Sequence, residues 1–415
     1  MSSSENIRAF EGDPLRESDS GKEFAEVRLA SMGILGDTVA DFEDGTIQVF
    51  GGIVGELVKV RIYRYKRRRK EMISGMVSEV IEPSPHRVDS PCSYFGFCSG
   101  CQWQHISYGH QLTLKSDMVR NAFNDYPSLS EVFISNTHAA PTSFNYRNHA
   151  RFTVRFGGQL GFSNRITRRF VRIDECMLMD SKINEFLTHL QDEASETTNL
   201  SIRVGTNTGD YLIQPKLSNP NLNFDTGQKW YIENMLDREF RVASPSFFQV
   251  NTKQAEFMIN LVGDKLKLNG SEILVDAYAG VGVFASLLSK QVGKVIAIEE
   301  SRAAVKDALF GLNDLENIYY IEGKTEEVLK ELEEQVDVII LDPPRTGCHP
   351  SAIDSVIESK ANKIAYVSCD PPSLARDLNM LVNGGYTIES VSPIDMFPQT
   401  YHTECVATLS LNLCH

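Results

Sequence analysis

Three cysteines with C-x5-C-x2-C spacing, Cys92, Cys98 and Cys101, stand in a run whose Gly96 and Gly100 let the chain fold back until the thiols converge. A metal site of this kind wants a fourth ligand, and Cys176 is the best candidate left. Zinc accepts four thiolates as readily as a cubane iron–sulfur cluster does, so the spacing leaves the metal open. A different chemistry is expected of Cys369 in Val367-Ser-Cys-Asp-Pro-Pro. It sits between an apolar run and a helix start, where positive potential lowers a thiol pKa and makes a nucleophile. The plain alternative for a lone cysteine after an apolar strand is a small buried hydrophobe. Asp342-Pro-Pro-Arg adds a stiff turn with a hydrogen-bond acceptor and a cation, Arg345, that can face a phosphate. Asp276-Ala-Tyr-Ala-Gly-Val-Gly, followed by Glu299-Glu300, has the glycine turn and downstream carboxylate of a nucleotide-binding βαβ unit. The turn alone does not separate a dinucleotide from S-adenosylmethionine; Asp276, placed to fix the glycine loop, leans towards the methyl donor.

The elements that must hold these residues are also legible. From Ser244 onward strands and helices alternate, with candidate strands at 272–276, 294–299, 318–322, 336–342 and 363–369. That order predicts a doubly wound sheet whose carboxyl edge gathers Asp276, Glu299, Asp342 and Cys369. The last runs, 386–391 and 405–411, predict an antiparallel edge. Residues 84–243 read as mixed: Pro83, Pro85 and Pro91 mark a linker, a helix with Tyr108, Leu112, Val119 and Phe123 on one side follows the cysteines, and strand-like runs follow Asn145. Between 26 and 81 short β-type runs alternate with Gly- and Asp-rich turns, which suggests a small OB-type barrel. The expected division is a flexible tail at 1–23, the barrel at 24–83, a central domain at 84–243 and an α/β domain at 244–415.

The chain of 415 residues is 42% hydrophobic and 23% charged, which excludes disordered, collagen-like and coiled-coil classes for the whole and allows two or three cores. No apolar window reaches the roughly 18 residues of a membrane span, and the N-terminus lacks a signal-peptide pattern, so a cytoplasmic protein is expected. Eight cysteines are too sparse for a disulfide framework. A net charge of −14 argues against nucleic acid until its distribution is read. Residues 61–70 hold seven cations, and Arg147 to Arg172 span seven arginines, neither stretch with a carboxylate. One such run is often only a solvated face, but two, one with tyrosines interleaved, favour a polyanion groove.

Taken together these residues resemble the RNA 5-methyluridine (uracil-C5) methyltransferase family over nearly the whole chain. Gly51-Gly-Ile-Val-Gly-Glu and Ser84-Pro-His-Arg-Val are similar to its TRAM domain, and the cysteine run with Gln104-His105 and Tyr108-Gly-His-Gln-Leu is similar to its iron–sulfur segment. Phe247-Phe-Gln-Val-Asn, the glycine turn, Asp342-Pro-Pro-Arg, Ser368-Cys-Asp-Pro and Pro398-Gln-Thr-Tyr-His-Thr-Glu follow in the family's order. The resemblance implies an α/β chain: a Rossmann-like class I methyltransferase domain, an N-terminal OB-type TRAM barrel and a mixed central iron–sulfur domain. It implies S-adenosylmethionine held by Gln249, Tyr278, Glu299 and Asp342, and a 4Fe-4S cluster on Cys92, Cys98, Cys101 and Cys176. Cys369 would attack C6 of a uridine and Glu404 would remove the C5 proton. The substrate would be structured RNA, ribosomal or transfer, handled by a monomer with no DNA or membrane partner.

Two residues depart from the family's pattern. Asp370 stands where asparagine is usual, and an ionised carboxylate there would raise the thiol pKa. Cys405 replaces an aliphatic residue and reads as buried filler. Glu404 is expected to be ionised at neutral pH. Two rival readings make different demands. A cytosine-C5 RNA methyltransferase would need its cysteine in the Asp342 turn, where only Cys348 lies further along. A non-catalytic iron–sulfur RNA-binding protein predicts no covalent adduct at Cys369.

Overall fold

The computed structural model describes residues 23–67, 70–312 and 314–412. The expected tail up to residue 22, and Arg68 and Arg69 of the first basic run, lie outside the described residues. The N-terminal strands β1 (Phe24–Arg28), β2 (Ser31–Met32), β3 (Thr38–Phe42), β4 (Gly45–Phe50), β5 (Leu57–Arg67) and β6 (Lys70–Glu82) form one sheet in the order β1-β5-β6-β4-β3-β2. Alternate residues turn inward, as the two-residue period of a strand requires. Ile47 and Val49 of β4 meet Val58, Val60 and Ile62 of β5 in a small core with Leu29 and Val77. β1 and β2 are separated only by Leu29 and Ala30, yet lie at opposite edges of the sheet.

The cysteine run leads into α1 (Tyr108–Asn124). Strands β7 (His149–Arg155), β8 (Gln159–Ser163), β9 (Phe170–Arg172), β10 (Asn199–Val204) and β11 (Tyr211–Gln214) then form an antiparallel sheet in the order β11-β10-β7-β8-β9. Helix α2 (Ser181–Leu190), capped by Asp180 accepting from the Lys182 N–H, buries Ile183, Phe186, Leu187 and Leu190 against it.

A hairpin of β12 (Trp230–Met235) and β13 (Arg238–Ala243) leads to α3 (Thr252–Leu266) and then to β14 (Ile273–Ala277), α4 (Val283–Leu288), β15 (Lys294–Glu299), α5 (Arg302–Phe310), β16 (Ile318–Glu322), α6 (Thr325–Glu331), β17 (Val338–Leu341), α7 (Pro350–Ser359), β18 (Lys363–Ser368), α8 (Pro371–Asn383), β19 (Tyr386–Ile394) and β20 (Glu404–Leu411). The sheet order is β16-β15-β14-β17-β18-β20-β19. Strands β14 to β18 are parallel, and β14, β15, β17 and β18 read as near-continuous runs of Val, Ile, Leu and Ala because helices cover both faces. The antiparallel edge is present with one correction to the simplest expectation. β20 inserts between β18 and β19 and pairs antiparallel with both. Two segments outside 244–415 pack into this sheet: Val119 and Phe123 of α1 on one face, and Tyr231 and Phe240 of the hairpin on the other. No helix among the described residues is long and apolar enough to cross a membrane.

Candidate active site at the carboxyl edge of the sheet

The glycine turn is held from below by Asp276. Its Oδ2 accepts from the Ala285 N–H at 2.8 Å, which ties the end of β14 to the first turn of α4, while its buried Oδ1 has no hydrogen-bond partner. Burial, and then the charges of Asp342 and Glu299, push the Asp276 carboxyl up to about 8. Tyr278, Gly280 and Gly282 all have positive φ (67°, 57° and 84°), the conformation that lets the chain double back from strand to helix. Glu299 closes the turn, accepting from the N–H groups of Gly280 (2.9 Å) and Ser301 (2.7 Å). A side chain built on Gly280 would meet nothing within 4 Å, so open space lies over that turn.

Asp276, Glu299 and Asp342 therefore end three neighbouring strands and face one another electrostatically. Burial raises Asp342 to about 7. An acceptor-rich edge of this kind repels a pyrophosphate and suits a ligand that brings hydroxyl and amine donors and a positive centre. The acceptor set and the open glycine turn fit S-adenosylmethionine. The other two residues expected to hold it are placed differently. The hydroxyl of Tyr278 turns towards Cys348 and Thr325. The Gln249 carbonyl accepts from Asn148 (3.0 Å), and its side-chain amide makes no hydrogen bond to the described residues.

Cys369 and Glu404 come together through strand register. In the antiparallel pair, Lys363 faces Ser410 and Ser368 faces Cys405, so the next step sets Cys369 opposite Glu404. Neighbouring positions so paired point to one face of the sheet. Glu404 is 4% exposed, and its carboxyl is raised well above the usual carboxylate range by burial and then by Asp342, with Arg345 opposing. The thiol of Cys369 is pushed up to about 11 by burial, then by Glu404; Arg345 pulls it down through charge and a hydrogen bond.

Three expectations are corrected here. The free thiol is raised, not lowered, because burial beside carboxylates outweighs the helix start. Glu404 is held towards its protonated form and does not behave as an exposed glutamate. Asp370 is not among the groups acting on the thiol: its Oδ2 accepts from the Ser373 N–H (3.0 Å) and caps α8. Cys348 is 4% exposed and packs in the core, with its N–H donating to Asp377 (2.8 Å), so it offers no open thiol to the cytosine-type reading. Cys405 is buried in the same core, as filler should be.

The loop 395–403 that delivers Glu404 is strapped to α1. The Lys115 ammonium, fully buried, donates to Asp395 Oδ1 (2.5 Å) and to the carbonyls of His402 (2.6 Å) and Phe397 (3.1 Å), so each of its three N–H bonds is matched. One turn earlier, Gln111 exchanges hydrogen bonds with Gln399, donating at 3.0 Å to its side chain and accepting at 3.0 Å from its backbone N–H. The backbone N–H groups of Gln102 and Trp103, next to Cys101, donate to the Gln399 carbonyl at 3.1 Å. Arg345 donates to Nδ1 of His402 at 3.1 Å, which keeps that imidazole neutral, its pKa lowered to about 3 by burial and then by cations. Sequence reasoning passed over Lys115 and quoted Gln111 and His402 only as members of longer motifs, with no role of their own. The signal available was that Gln111, Lys115 and Val119 share one helix face.

The four expected metal-binding cysteines lie near enough to act on one another's thiols. Cys98 is pushed up to about 12 by burial and then by Cys176 and Cys92, and Cys101 well above the usual range by burial and the same neighbours. Gln104 donates to Cys101 Sγ (3.2 Å), the Gly100 N–H to Cys98 Sγ (3.4 Å), and Asn184 of α2 holds the backbone of Cys176. Among the described residues no three His, Cys, Asp or Glu side chains stand close enough to hold a metal ion.

A model of the tRNA (uracil-5-)-methyltransferase family matches residues 228–412. A protein of Thermosynechococcus vestitus described as an RNA methyltransferase is 31% identical, the alignment covering 93% of this chain and 97% of that one. An RNA methyltransferase of Clostridium tetani is 32% identical over 94% of this chain and 98% of its own. In fold, the chain is similar to the Pyrococcus abyssi tRNA (uracil-54, C5)-methyltransferase solved with S-adenosyl-L-homocysteine, with a TM-score of 0.74, 24% identity, and coverage of 93% of this chain and 100% of that one. With its methyltransferase sheet and relatives that match from end to end, the chain belongs to the S-adenosylmethionine-dependent RNA (uracil-5-)-methyltransferase family.

Proposed function

We propose that this enzyme methylates C5 of a uridine in structured RNA through a covalent bond between Cys369 and C6. The observation that carries the reading is the β18–β20 register, which continued one step sets Cys369 opposite Glu404, with Asp342 and Arg345 acting on both. C5 of uracil is a poor nucleophile, and addition of the Cys369 thiolate to C6 turns the ring into an enolate whose C5 can take a methyl group. S-adenosylmethionine, when bound, would supply that group as an electrophile; Glu299 and Asp342 would accept its donors, and Gln249 and Tyr278 are the further residues proposed to hold it. Glu404 then removes the C5 proton and Cys369 leaves. Arg345 favours the thiolate and the carboxylate, opposing the burial that raises both groups. The target base leaves its stack to expose its face to the thiol.

In this reading residues 24–83 form the TRAM barrel, with β1 and β2 as one bent strand joining both sheet edges; 84–243 form the central domain and 244–415 the methyltransferase domain. Cys92, Cys98, Cys101 and Cys176 hold a 4Fe-4S cluster. The electrostatic influence of the four half-buried thiols on one another supports a shared thiolate-bound centre. Transfer RNA is the first substrate to assay, since the matched family model and the Pyrococcus enzyme are named for it. The test is RNA carrying 5-fluorouridine, whose fluorine cannot leave as a proton. Wild-type enzyme with S-adenosylmethionine is expected to form an adduct stable to denaturing electrophoresis, and Cys369→Ala none. Adduct formation by Cys369→Ala would refute the assignment.

A further inference from the structure

We propose that the turn at Gly33–Asp37 of the N-terminal sheet is an apolar wedge that enters the RNA stack beside the target uridine, with Arg168 and Arg169 gripping the adjoining phosphates. The inference rests on the reading of Cys369 and Glu404 as the reacting pair. Ile34 is 83% exposed and its neighbour Leu35 46%. Isolated exposed apolar residues are ordinary, but these two are consecutive and their backbone is pinned on every side. Within the turn, the Gly33 N–H donates to the Asp37 carbonyl (2.6 Å) and the Gly36 N–H to the Gly33 carbonyl (3.1 Å). From outside, Trp103 Nε1 donates to the Gly36 carbonyl (2.7 Å), and Arg165 donates to the Leu35 carbonyl (3.1 Å) and to Asp37 (2.7 Å). A flexible surface loop needs none of these bonds; a tip that must push against something does.

A chain of contacts links the turn to the reacting groups. Gly36 has φ 74°, and a side chain there would fall 2.3 Å from Tyr401 Cβ. The Tyr401 ring lies 4.2 Å from that of His402, His402 accepts from Arg345, and Arg345 bonds to Cys369. The same tip adjoins the arginine loop. Arg165 bridges to it, and three and four residues on, Arg168 and Arg169 are exposed and make no ion pair with described residues. Arg172, by contrast, is taken up by Asp174 and Asp192. Unpaired cations beside a rigid apolar tip suit a nucleic acid: cations meet phosphates, and an apolar side chain fills the gap that a flipped base leaves in its stack.

The test compares two RNAs of one sequence around the target, a folded hairpin and an unstructured oligonucleotide. For an Ile34→Ser/Leu35→Ser variant the ratio of kcat/KM on the hairpin to that on the oligonucleotide is expected to fall at least tenfold. Since both side chains are exposed, the variant should fold. With 2-aminopurine next to the target, fluorescence should rise when wild type or Cys369→Ala binds the hairpin, and not when the Ser variant does. That arm reads the wedge without chemistry, so it stands apart from failure of Cys369 as nucleophile, which the fluorouridine trap reports. Arg168→Glu/Arg169→Glu should weaken binding of both RNAs and flatten the salt dependence by roughly 0.7 to 0.9 per lost contact. An unchanged ratio, or fluorescence that rises equally with the Ser variant, would overturn the proposal.

Discussion

Two buried regions at the two ends of the loop 395–403 treat charge in opposite ways. At Lys115 every ammonium hydrogen has an acceptor, and the ion pair with Asp395 is dry on both sides, with Asp395 Oδ2 left buried and unpartnered. At Glu404 the carboxylate is buried too, yet makes no hydrogen bond to a described residue and faces a second carboxylate and a raised thiol. Polar groups matched as this ammonium is build a scaffold, because removing one partner strands the other. Unmatched ones mark the place where a substrate completes the set. The loop 395–403 joins the two, so stability spent on the Lys115 node fixes the position of a group that is itself poorly stabilised.

The largest effect should come from breaking the satisfied side. Lys115→Met leaves Asp395 buried and unpaired and frees two carbonyls, and should cost about 3–5 kcal/mol in denaturant unfolding. Adding Asp395→Leu should recover part of this and no more, since the carbonyl of His402 remains unmatched, whereas that of Phe397 still accepts from Thr400 Oγ1 (2.8 Å). Full recovery would mean that only the ion pair matters. On the unsatisfied side, both Cys369 (about 11) and Glu404 (raised) must lose protons to act. Activity at subsaturating RNA should therefore rise between pH 6 and 8, about tenfold per pH unit for the thiol alone and up to about a hundredfold where Glu404 titrates as well. Arg345→Gln should move that limb to higher pH, because the guanidinium is what pulls the thiol down. A flat profile would show that the free-enzyme protonation states do not govern the rate. The smallest effect is expected at Asp370. As a helix cap, Asp370→Asn should change stability by less than about 0.5 kcal/mol and leave the pH limb in place, whereas Asp370→Ala should cost about 1 kcal/mol.

What was legible in the sequence follows the same division. Strand ends announce themselves, because an apolar run stopping at Asp342, Cys369 or Glu299 puts a polar group at the ligand edge whatever the tertiary detail; the runs 294–299 and 318–322 coincide with β15 and β16. Insertion of β20 between β18 and β19 was not legible, since a short apolar run carries no label for its neighbours. Nor was the buried polar face of α1. Apolar periodicity picks out Val119 and Phe123, but Lys115 and Gln111 on that face look like solvated residues until Asp395 and Gln399 arrive from nearly three hundred positions away. Proton affinities were misjudged for a related reason: a helix start can be read from Pro371 and Pro372, whereas the burial that outweighs it depends on strands distant in sequence.

The central claim is that Cys369 and Glu404 act on one base at successive steps. It is tested most directly by incubating Glu404→Gln with methyl-labelled S-adenosylmethionine and substrate RNA, then mapping any protein–RNA adduct by mass spectrometry. The account predicts an accumulating adduct that carries the methyl label and is joined through Cys369, because methyl transfer proceeds while proton removal fails. Turnover at the wild-type rate with no adduct, or a labelled adduct joined through Cys348, would contradict it.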